Sequence, residues 1–190
     1  MKKALIIIDI QNDYFGNGAM ALVNPEAASN NARLMLDKFR KENLPIVHLQ
    51  HISLRPGATF FLPGTVGSKT HENVAPLGDE KVIVKHYPNS FRETELLHHL
   101  WSEGVSDLVI CGMMTQTCVD STTRAAKDFG FSCTVVGDAC ATKDLELNGQ
   151  VIKAEEVQKS FLAALSYFYA RVTTTEQYKK DNQGTISSTV

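Results

Sequence analysis

Short runs of β-branched and other apolar residues alternate with longer amphipathic stretches along most of this chain. The first run, Lys3–Ile10, is almost continuous isoleucine and leucine, which is typical of a central parallel strand that is covered on both faces. Strands that alternate with helices form βαβ units, so the pattern predicts a three-layer α/β fold with a parallel sheet. The six predicted strands are Lys3–Ile10, Pro45–His51, Lys81–Lys85, Asp107–Cys111, Phe131–Val136 and Arg171–Thr174.

The stretches between these strands show helical periodicity. The predicted helices are Pro25–Asn43, Glu93–Glu103, Cys118–Phe129 and Val151–Tyr169. Residues 52–80 are rich in proline and glycine and show little periodicity, which is typical of a long functional loop. No repeat or linker divides the chain, so we expect one domain over residues 1–178, followed by a polar tail over residues 179–190.

Composition narrows the class of partner. The net charge of −2 provides no basic surface for nucleic acid or for an anionic membrane. No apolar run approaches the roughly 20 residues that cross a bilayer. Asp9 interrupts the N-terminal apolar run before it reaches the roughly 7–15 residues of a signal peptide. We therefore expect a cytoplasmic protein whose partner is a small-molecule substrate.

The four cysteines lie seven or more residues apart, which fits neither a CxxC metal site nor a dense disulfide scaffold. Cys111, Cys133 and Cys140 are predicted to be small buried hydrophobic residues. Trp101 falls within a helical pattern and is also predicted to lie in the core. Cys118 differs because it follows a strand and begins a predicted helix.

Three reactive side chains follow predicted strands. Asp9 ends the first strand, Lys85 ends the third, and Cys118 follows the fourth. Ligands of open α/β sheets bind beyond the carboxyl ends of the strands, so we expect these residues to share one crevice. A helix N-terminus and the Lys85 ammonium are both expected to lower the thiol pKa, and Asp9 is placed to act as a general base. Backbone N–H groups in the turn 112–118 would stabilise an oxyanion.

Each residue alone also has an ordinary structural interpretation. An aspartate at a strand end often caps a loop, a lysine there is usually a solvated charge, and a cysteine at a helix start is commonly a packing residue. The motifs around the three residues weaken these interpretations when they are read together. Those motifs are ALIIIDIQNDY over 4–14, VKHYPNSF over 84–91, GMMTQTCVDST over 112–122 and GDACA over 137–141.

In this order, over roughly residues 3–175, the motifs resemble the isochorismatase-like cysteine hydrolase superfamily, which includes nicotinamidases and N-carbamoylsarcosine amidohydrolases. Tyr14 stands where the family more often has phenylalanine. The resemblance implies a sheet of strand order 3-2-1-4-5-6 and a catalytic triad of Asp9, Lys85 and Cys118. It further implies an oxyanion hole from the backbone N–H groups of Met114 and Cys118, a cis peptide at Met113–Met114, and a homo-oligomer that is at least a dimer.

The resemblance favours hydrolysis of a small amide-like C–N bond through a thioester, because true isochorismatases lack the cysteine at the position of Cys118. Two alternatives stay open. One is an ether or imine hydrolase on the same fold, and the other is a ligand-binding protein with a vestigial site. Residues predicted to bind substrate are Tyr14, Phe60, Phe61, His71, Tyr87, Phe91 and Gln116.

No metal or other cofactor is expected. Nicotinamidases of this superfamily have an Asp-x-His pair after the second strand, where this chain has no carboxylate. His48 and His51 are three residues apart, which places them on opposite faces of a strand. They are therefore not expected to share a metal ion, and His71 alone is too little to replace the pair.

Overall fold

The computed structural model of the protein describes residues 2–182. Six parallel strands form one sheet, and two short antiparallel strands form a separate hairpin. The strands of the sheet are β1 (Lys2–Ile8), β2 (Ile46–His51), β3 (Lys81–Lys85), β4 (Val105–Met113), β5 (Ser132–Ala141) and β8 (Arg171–Thr173). The hairpin strands are β6 (Leu145–Leu147) and β7 (Gln150–Ile152).

Five α-helices and three short helical turns accompany the strands in the described part of the chain. The helices are α1 (Pro25–Lys41), α2 (Leu96–Ser102), α3 (Asp120–Asp128), α4 (Ala154–Phe168) and α5 (Thr175–Asp181). The turns are two 3-10 turns, Asn12–Tyr14 and Glu72–Val74, and one π-helical turn, Thr115–Val119.

The order of the strands in the sheet is β3-β2-β1-β4-β5-β8. This confirms the predicted α/β architecture and strand order, with β8 as the sixth strand of the sheet. The chain adds strands towards one edge of the sheet from β1 to β3 and towards the other edge from β4 to β8. The strand order therefore reverses between β1 and β4, and ligands of such folds bind beside the carboxyl ends of the strands at this point.

Strand β1 explains the three layers. Alternate side chains of a strand point to opposite faces. Leu5 and Ile7 pack in the core that contains α1, while Ile6 and Ile8 pack in the core that contains Leu96 of α2. Both faces are covered, so the continuous apolar run of β1 is buried throughout.

Two elements differ from the sequence-based expectations. The β6–β7 hairpin occupies the start of the predicted helix Val151–Tyr169, because Asn148 and Gly149 have positive φ angles of 53° and 77° and form a tight turn. Helix α5 continues to Asp181, beyond the predicted domain end at residue 178. The remainder of the predicted tail, from residue 183 onward, lies outside the described residues.

Trp101 corrects a further expectation. Its side chain is 58% exposed rather than part of the core. The buried face of α2 is formed by Leu96 and Leu100, which leaves the neighbouring position on the outside. The other predicted core residues, Cys111, Cys133 and Cys140, are buried free thiols. None of the helices within residues 2–182 has the length and apolar character needed to cross a membrane.

Candidate active site

Asp9 lies at the point where β1 ends. Its φ angle is +50°, in the left-handed region that aspartate tolerates better than most residues, and its backbone N–H still donates to Leu49 O at 3.1 Å. The side chain is completely buried. Neither carboxylate oxygen accepts a hydrogen bond of regular geometry from any residue that the structure describes. Asp9 is therefore a buried carboxylate that can still accept hydrogen bonds or a proton.

Lys85, the last residue of β3, supplies the opposite charge. Its Nζ lies 2.7 Å from Asp9 Oδ2 and donates to Tyr87 O at 3.0 Å. Burial lowers the pKa of Lys85, but the interactions with the Asp9 carboxylate and with the thiolate form of Cys118 outweigh burial, and the pKa is raised overall. Lys85 is consequently an ammonium ion inside the protein, paired with the Asp9 carboxylate.

Cys118 completes the group. It lies in the π-helical turn between β4 and α3 and is 5% exposed. Its Sγ, a carboxylate oxygen of Asp9 and a ring nitrogen of His51 all lie within 4.8 Å of one another. The structure thus brings Asp9, Lys85 and Cys118 together at the carboxyl edge of the sheet, while their catalytic roles stay predictions.

The pKa of Cys118 runs against the sequence-based expectation. Burial raises it most, the Asp9 charge raises it further, and Lys85 lowers it, with a net rise to about 12. The expected decrease in pKa is therefore wrong for this closed site. Desolvation of the buried sulfur outweighs the single cation at Lys85. The thiol is protonated at neutral pH.

The turn that holds Cys118 begins at a cis peptide bond between Met113 and Met114. Met114 has an extended backbone, and its carbonyl accepts from Thr117 N and Val119 N, both at 3.2 Å. These bonds fold residues 114–119 back on themselves around the thiol. The predicted oxyanion-hole residues, Met114 and Cys118, therefore belong to one tight turn.

Two residues of the first motif attach the long segment 52–80 to the site. Gln11 Nε2 donates to His51 O at 2.9 Å and to Ser68 O at 2.8 Å, and Gln11 Oε1 accepts from His51 N at 2.8 Å. Asp13 Oδ2 accepts from Phe61 N at 2.6 Å. The motif was recognised in the sequence, but roles were predicted only for its Asp9 and Tyr14 and not for Gln11 or Asp13.

The same anchoring requires a glycine. A Cβ atom on Gly67 would lie 2.0 Å from Asp13 Oδ1, so only glycine allows the backbone to approach the carboxylate this closely. Asp13 N also donates to Gly67 O at 2.9 Å. The aspartate and the glycine together hold the segment against the 3-10 turn Asn12–Tyr14.

An aromatic group lies beside the site. The Tyr14 ring contacts Phe61 edge-on at 4.6 Å between centroids, and Phe60 lies 6.1 Å from Tyr14. Burial raises the pKa of Tyr14 well above its usual range, with further contributions from the charges of Cys118 and Asp9. Tyr14 therefore lies near the thiol and the carboxylate, and two further predicted substrate-binding residues, Phe60 and Phe61, pack against it.

The other predicted substrate-binding residues have protein partners. His71 stacks on Phe15 at 3.7 Å, and Phe91 packs on Phe129 at 5.2 Å in the core. Gln116 Oε1 accepts from the Thr142 hydroxyl at 2.5 Å. The Tyr87 ring lies beneath the Arg92 guanidinium at 3.7 Å, while Tyr87 contributes its backbone carbonyl to Lys85. Each of these four side chains thus has a contact within the protein, and its role in substrate binding stays a prediction.

His51 is the site residue that sequence analysis missed. Its Nδ1 lies 3.2 Å from Lys85 Nζ, whereas His48 is elsewhere and contacts Glu80 at 3.0 Å. His51 is the last residue of β2, the neighbour of β1. The strand-end argument that identified Asp9 and Lys85 applied equally to His51, but it was considered only as a partner for His48.

Asp9, His51 and Cys118 carry donor atoms that a metal ion accepts. The charge of the site disfavours one. The Lys85 ammonium lies 2.7 Å from Asp9 and 3.2 Å from His51, so a built-in cation already occupies the position between two of the three donors. These residues therefore fit a metal ion poorly.

Comparison with known proteins supports the fold and the motifs. Residues 3–177 match the model of the Isochorismatase domain family. The chain is 51% identical over 180 residues to the uncharacterized isochorismatase family protein YddQ of Bacillus subtilis, covering 95% of this chain and 100% of that protein.

Two crystal structures extend the comparison. An isochorismatase from Pseudomonas putida KT2440 shares 36% identity and a TM-score of 0.86, covering 92% of this chain and 89% of its own. N-carbamoylsarcosine amidase from Thermoplasma acidophilum shares 25% identity and a TM-score of 0.77, covering 93% of this chain and 98% of its own. The chain therefore belongs to the isochorismatase family of hydrolases.

Proposed function

We propose that the protein hydrolyses a small amide-like C–N bond through a thioester on Cys118. One observation carries the proposal: a thiol lies within 4.8 Å of a buried carboxylate whose oxygens take no regular hydrogen bond from the described residues. A carboxylate of this kind is placed to accept the thiol proton. The adjacent Lys85 ammonium compensates the negative charge that remains on the sulfur or on Asp9.

In the first half-reaction, Asp9 takes the proton of Cys118 while Sγ attacks the carbonyl carbon, and the C=O electron pair moves to oxygen. Because the thiol pKa is about 12, this proton transfer accompanies the attack rather than preceding it. Backbone N–H groups of the turn at Met114 and Cys118 stabilise the oxyanion. The C–N bond then breaks as Asp9 returns the proton to the leaving nitrogen.

In the second half-reaction, water attacks the thioester carbon and transfers a proton to Asp9. The C–S bond breaks, the carboxylic acid leaves, and the proton on Asp9 returns to the Cys118 thiolate. Substrate and water are the only reactants consumed. Neither half-reaction uses a metal ion or cofactor, in agreement with the fixed cation at Lys85.

The amidase from Thermoplasma acidophilum supports the choice of a C–N bond, because it shares the fold over most of both chains. Hydrolysis of an ether or imine on the same fold gives different products. An amidase releases ammonia or an amine together with a carboxylic acid, whereas an ether hydrolase releases an alcohol or a carbonyl compound. A protein with a vestigial site releases neither.

The test is ammonia release from a panel of small primary amides and ureides, with each acid product identified by mass spectrometry. We expect release by the wild type, none by Cys118→Ala, and an unchanged rate for Cys133→Ala, which removes a buried thiol level with Ala4, towards the amino ends of the strands. Equal release by wild type and Cys118→Ala contradicts the proposed nucleophile. Release of an alcohol from an ether by the wild type favours the alternative chemistry.

We also propose that the protein is at least a dimer. Tyr167 and Phe168, at the end of α4, are 91% and 63% exposed, which is unusual for two adjacent aromatic residues. Light scattering at micromolar concentration tests the assembly against the 21.0 kDa chain mass. A single species of monomer mass contradicts the proposal.

A further inference from the structure

We propose that His51 is a substrate-binding residue whose Nδ1 accepts from Lys85 and whose Nε2–H donates to a carbonyl or carboxylate oxygen of the ligand. The inference rests on the proposed function, which it deepens. If His51 has this role, the substrate carries a hydrogen-bond acceptor that lies beyond the sulfur atom, near the end of β2.

The backbone of His51 is fixed on both sides. Its N–H donates to Gln11 Oε1 at 2.8 Å, and its carbonyl accepts from Gln11 Nε2 at 2.9 Å. Gln11 itself is buried. The position of the imidazole is therefore determined by β1 and β2, and the bonds that hold it do not involve the ring.

The contact with Lys85 determines which ring nitrogen carries the proton. An ammonium group can only donate hydrogen bonds, so Nδ1, 3.2 Å from Lys85 Nζ, must accept. In a neutral imidazole the proton then lies on Nε2. Burial is the main cause that lowers the pKa of His51, to about 4, and the ring is neutral at physiological pH.

The Nε2–H of His51 has no acceptor among the described residues. Within residues 2–182 it makes no hydrogen bond, although the ring is half-buried against Phe61 at 5.9 Å between centroids. A ring nitrogen of His51 also lies within 4.8 Å of Cys118 Sγ. Asp9 and Lys85 are paired with each other, whereas His51 keeps a donor beside the thiol that is available to a ligand.

Two conservative variants distinguish the role of Nδ1 of His51 from that of Nε2. In His51→Asn, the amide oxygen lies near the position of Nδ1 and keeps an acceptor for Lys85, but no group reaches the position of Nε2. In His51→Gln, the longer amide places an N–H donor near Nε2. His51→Phe fills the same space with neither function and serves as the second test if the asparagine variant folds poorly.

The test compares alkylation of Cys118 by two reagents at one pH, with Cys118→Ala as the blank. Iodoacetamide carries a carbonyl acceptor, and iodoethane carries none. We expect the iodoacetamide-to-iodoethane rate ratio to fall about tenfold in His51→Asn and His51→Phe, because one donor to the reagent is lost. The ratio is expected to stay within about threefold of wild type in His51→Gln.

Using a ratio cancels changes in thiol ionisation, because these affect both reagents equally. An unchanged ratio in His51→Asn and His51→Phe overturns the inference, whatever the outcome of the amide panel. Absence of ammonia release by the wild type overturns the proposed function instead, while the ratio still reports whether His51 contacts the bound reagent.

Discussion

Lys85 Nζ lies 2.7 Å from Asp9 Oδ2, and both side chains are completely excluded from solvent. A buried ion pair is compensated only while both partners are present, since either charge alone is left in a medium of low dielectric constant. The pair is therefore both the electrostatic centre of the site and a sensitive point of the fold.

Removal of one partner is expected to destabilise the protein. Lys85→Met leaves the Asp9 carboxylate buried and unpaired, and we expect the free energy of unfolding to fall by about 3–5 kcal/mol. The double variant Asp9→Asn with Lys85→Met should recover part of this loss. Urea denaturation measures both effects. A loss below about 1 kcal/mol in the single variant contradicts a tightly coupled pair.

The reactivity of the Cys118 thiol provides a second prediction. With a pKa of about 12, alkylation by iodoacetamide should be slow at pH 7 and rise about tenfold per pH unit through pH 9 without a plateau. Asp9→Asn removes a charge that raises this pKa and should accelerate labelling at fixed pH. Lys85→Met should slow it. A rate plateau below pH 8 in the wild type shows instead a preformed thiolate.

Acid stability depends on His51. Its folded-state pKa, about 4, lies below the ordinary value of 6.5, so the neutral ring stabilises the fold above pH 6.5. That contribution is lost as the pH falls from 6.5 towards 4, because the unfolded chain binds the proton more readily. Thermal melts at pH 7 and pH 4.5 should show a smaller decrease in Tm for His51→Asn than for wild type. His98→Asn, on α2, is the control variant. An equal decrease in Tm for wild type and His51→Asn contradicts this role of His51.

The Asp13 anchor is expected to affect both stability and catalysis. Asp13→Ala leaves the buried N–H of Phe61 without its acceptor, which costs about 1–3 kcal/mol of unfolding free energy. The aromatic group beside the thiol should then be less well held, and kcat/KM should fall about tenfold or more. Asp37→Ala, on the exposed face of α1, should change neither quantity. Wild-type kcat/KM in Asp13→Ala would show that the segment 52–80 does not shape the site.

The sequence predicted most of the fold because the signals were local. The apolar run of β1 and the alternation of strands and helices were sufficient for a parallel sheet, and the family resemblance supplied its strand order. The β6–β7 hairpin was missed although Asn148-Gly149 is a strong turn signal, since the apolar residues of β7 extended the pattern of helix α4. Trp101 was misplaced because periodicity alone does not show which face of α2 contacts the sheet.

The proximity of the candidate site residues could be predicted from the sequence, whereas their electrostatics could not. Strand ends identified Asp9 and Lys85, and the same rule would have found His51. The direction of the Cys118 pKa shift could not be read from spacing, because it depends on how completely the turn Thr115–Val119 excludes water. Burial is a property of the assembled fold, and in this site it outweighs the neighbouring cation.

Acylation of Cys118 can be tested with an activated ester, without knowledge of the natural substrate. The protein is mixed with p-nitrophenyl acetate, quenched in acid within the first turnover, digested, and examined by mass spectrometry. We predict an initial burst of p-nitrophenol and an acetyl group on the peptide that contains Cys118, with both absent in Cys118→Ala and retained in Cys133→Ala. An equal burst in Cys118→Ala, or acetyl groups confined to Cys111, Cys133 and Cys140, would contradict the account.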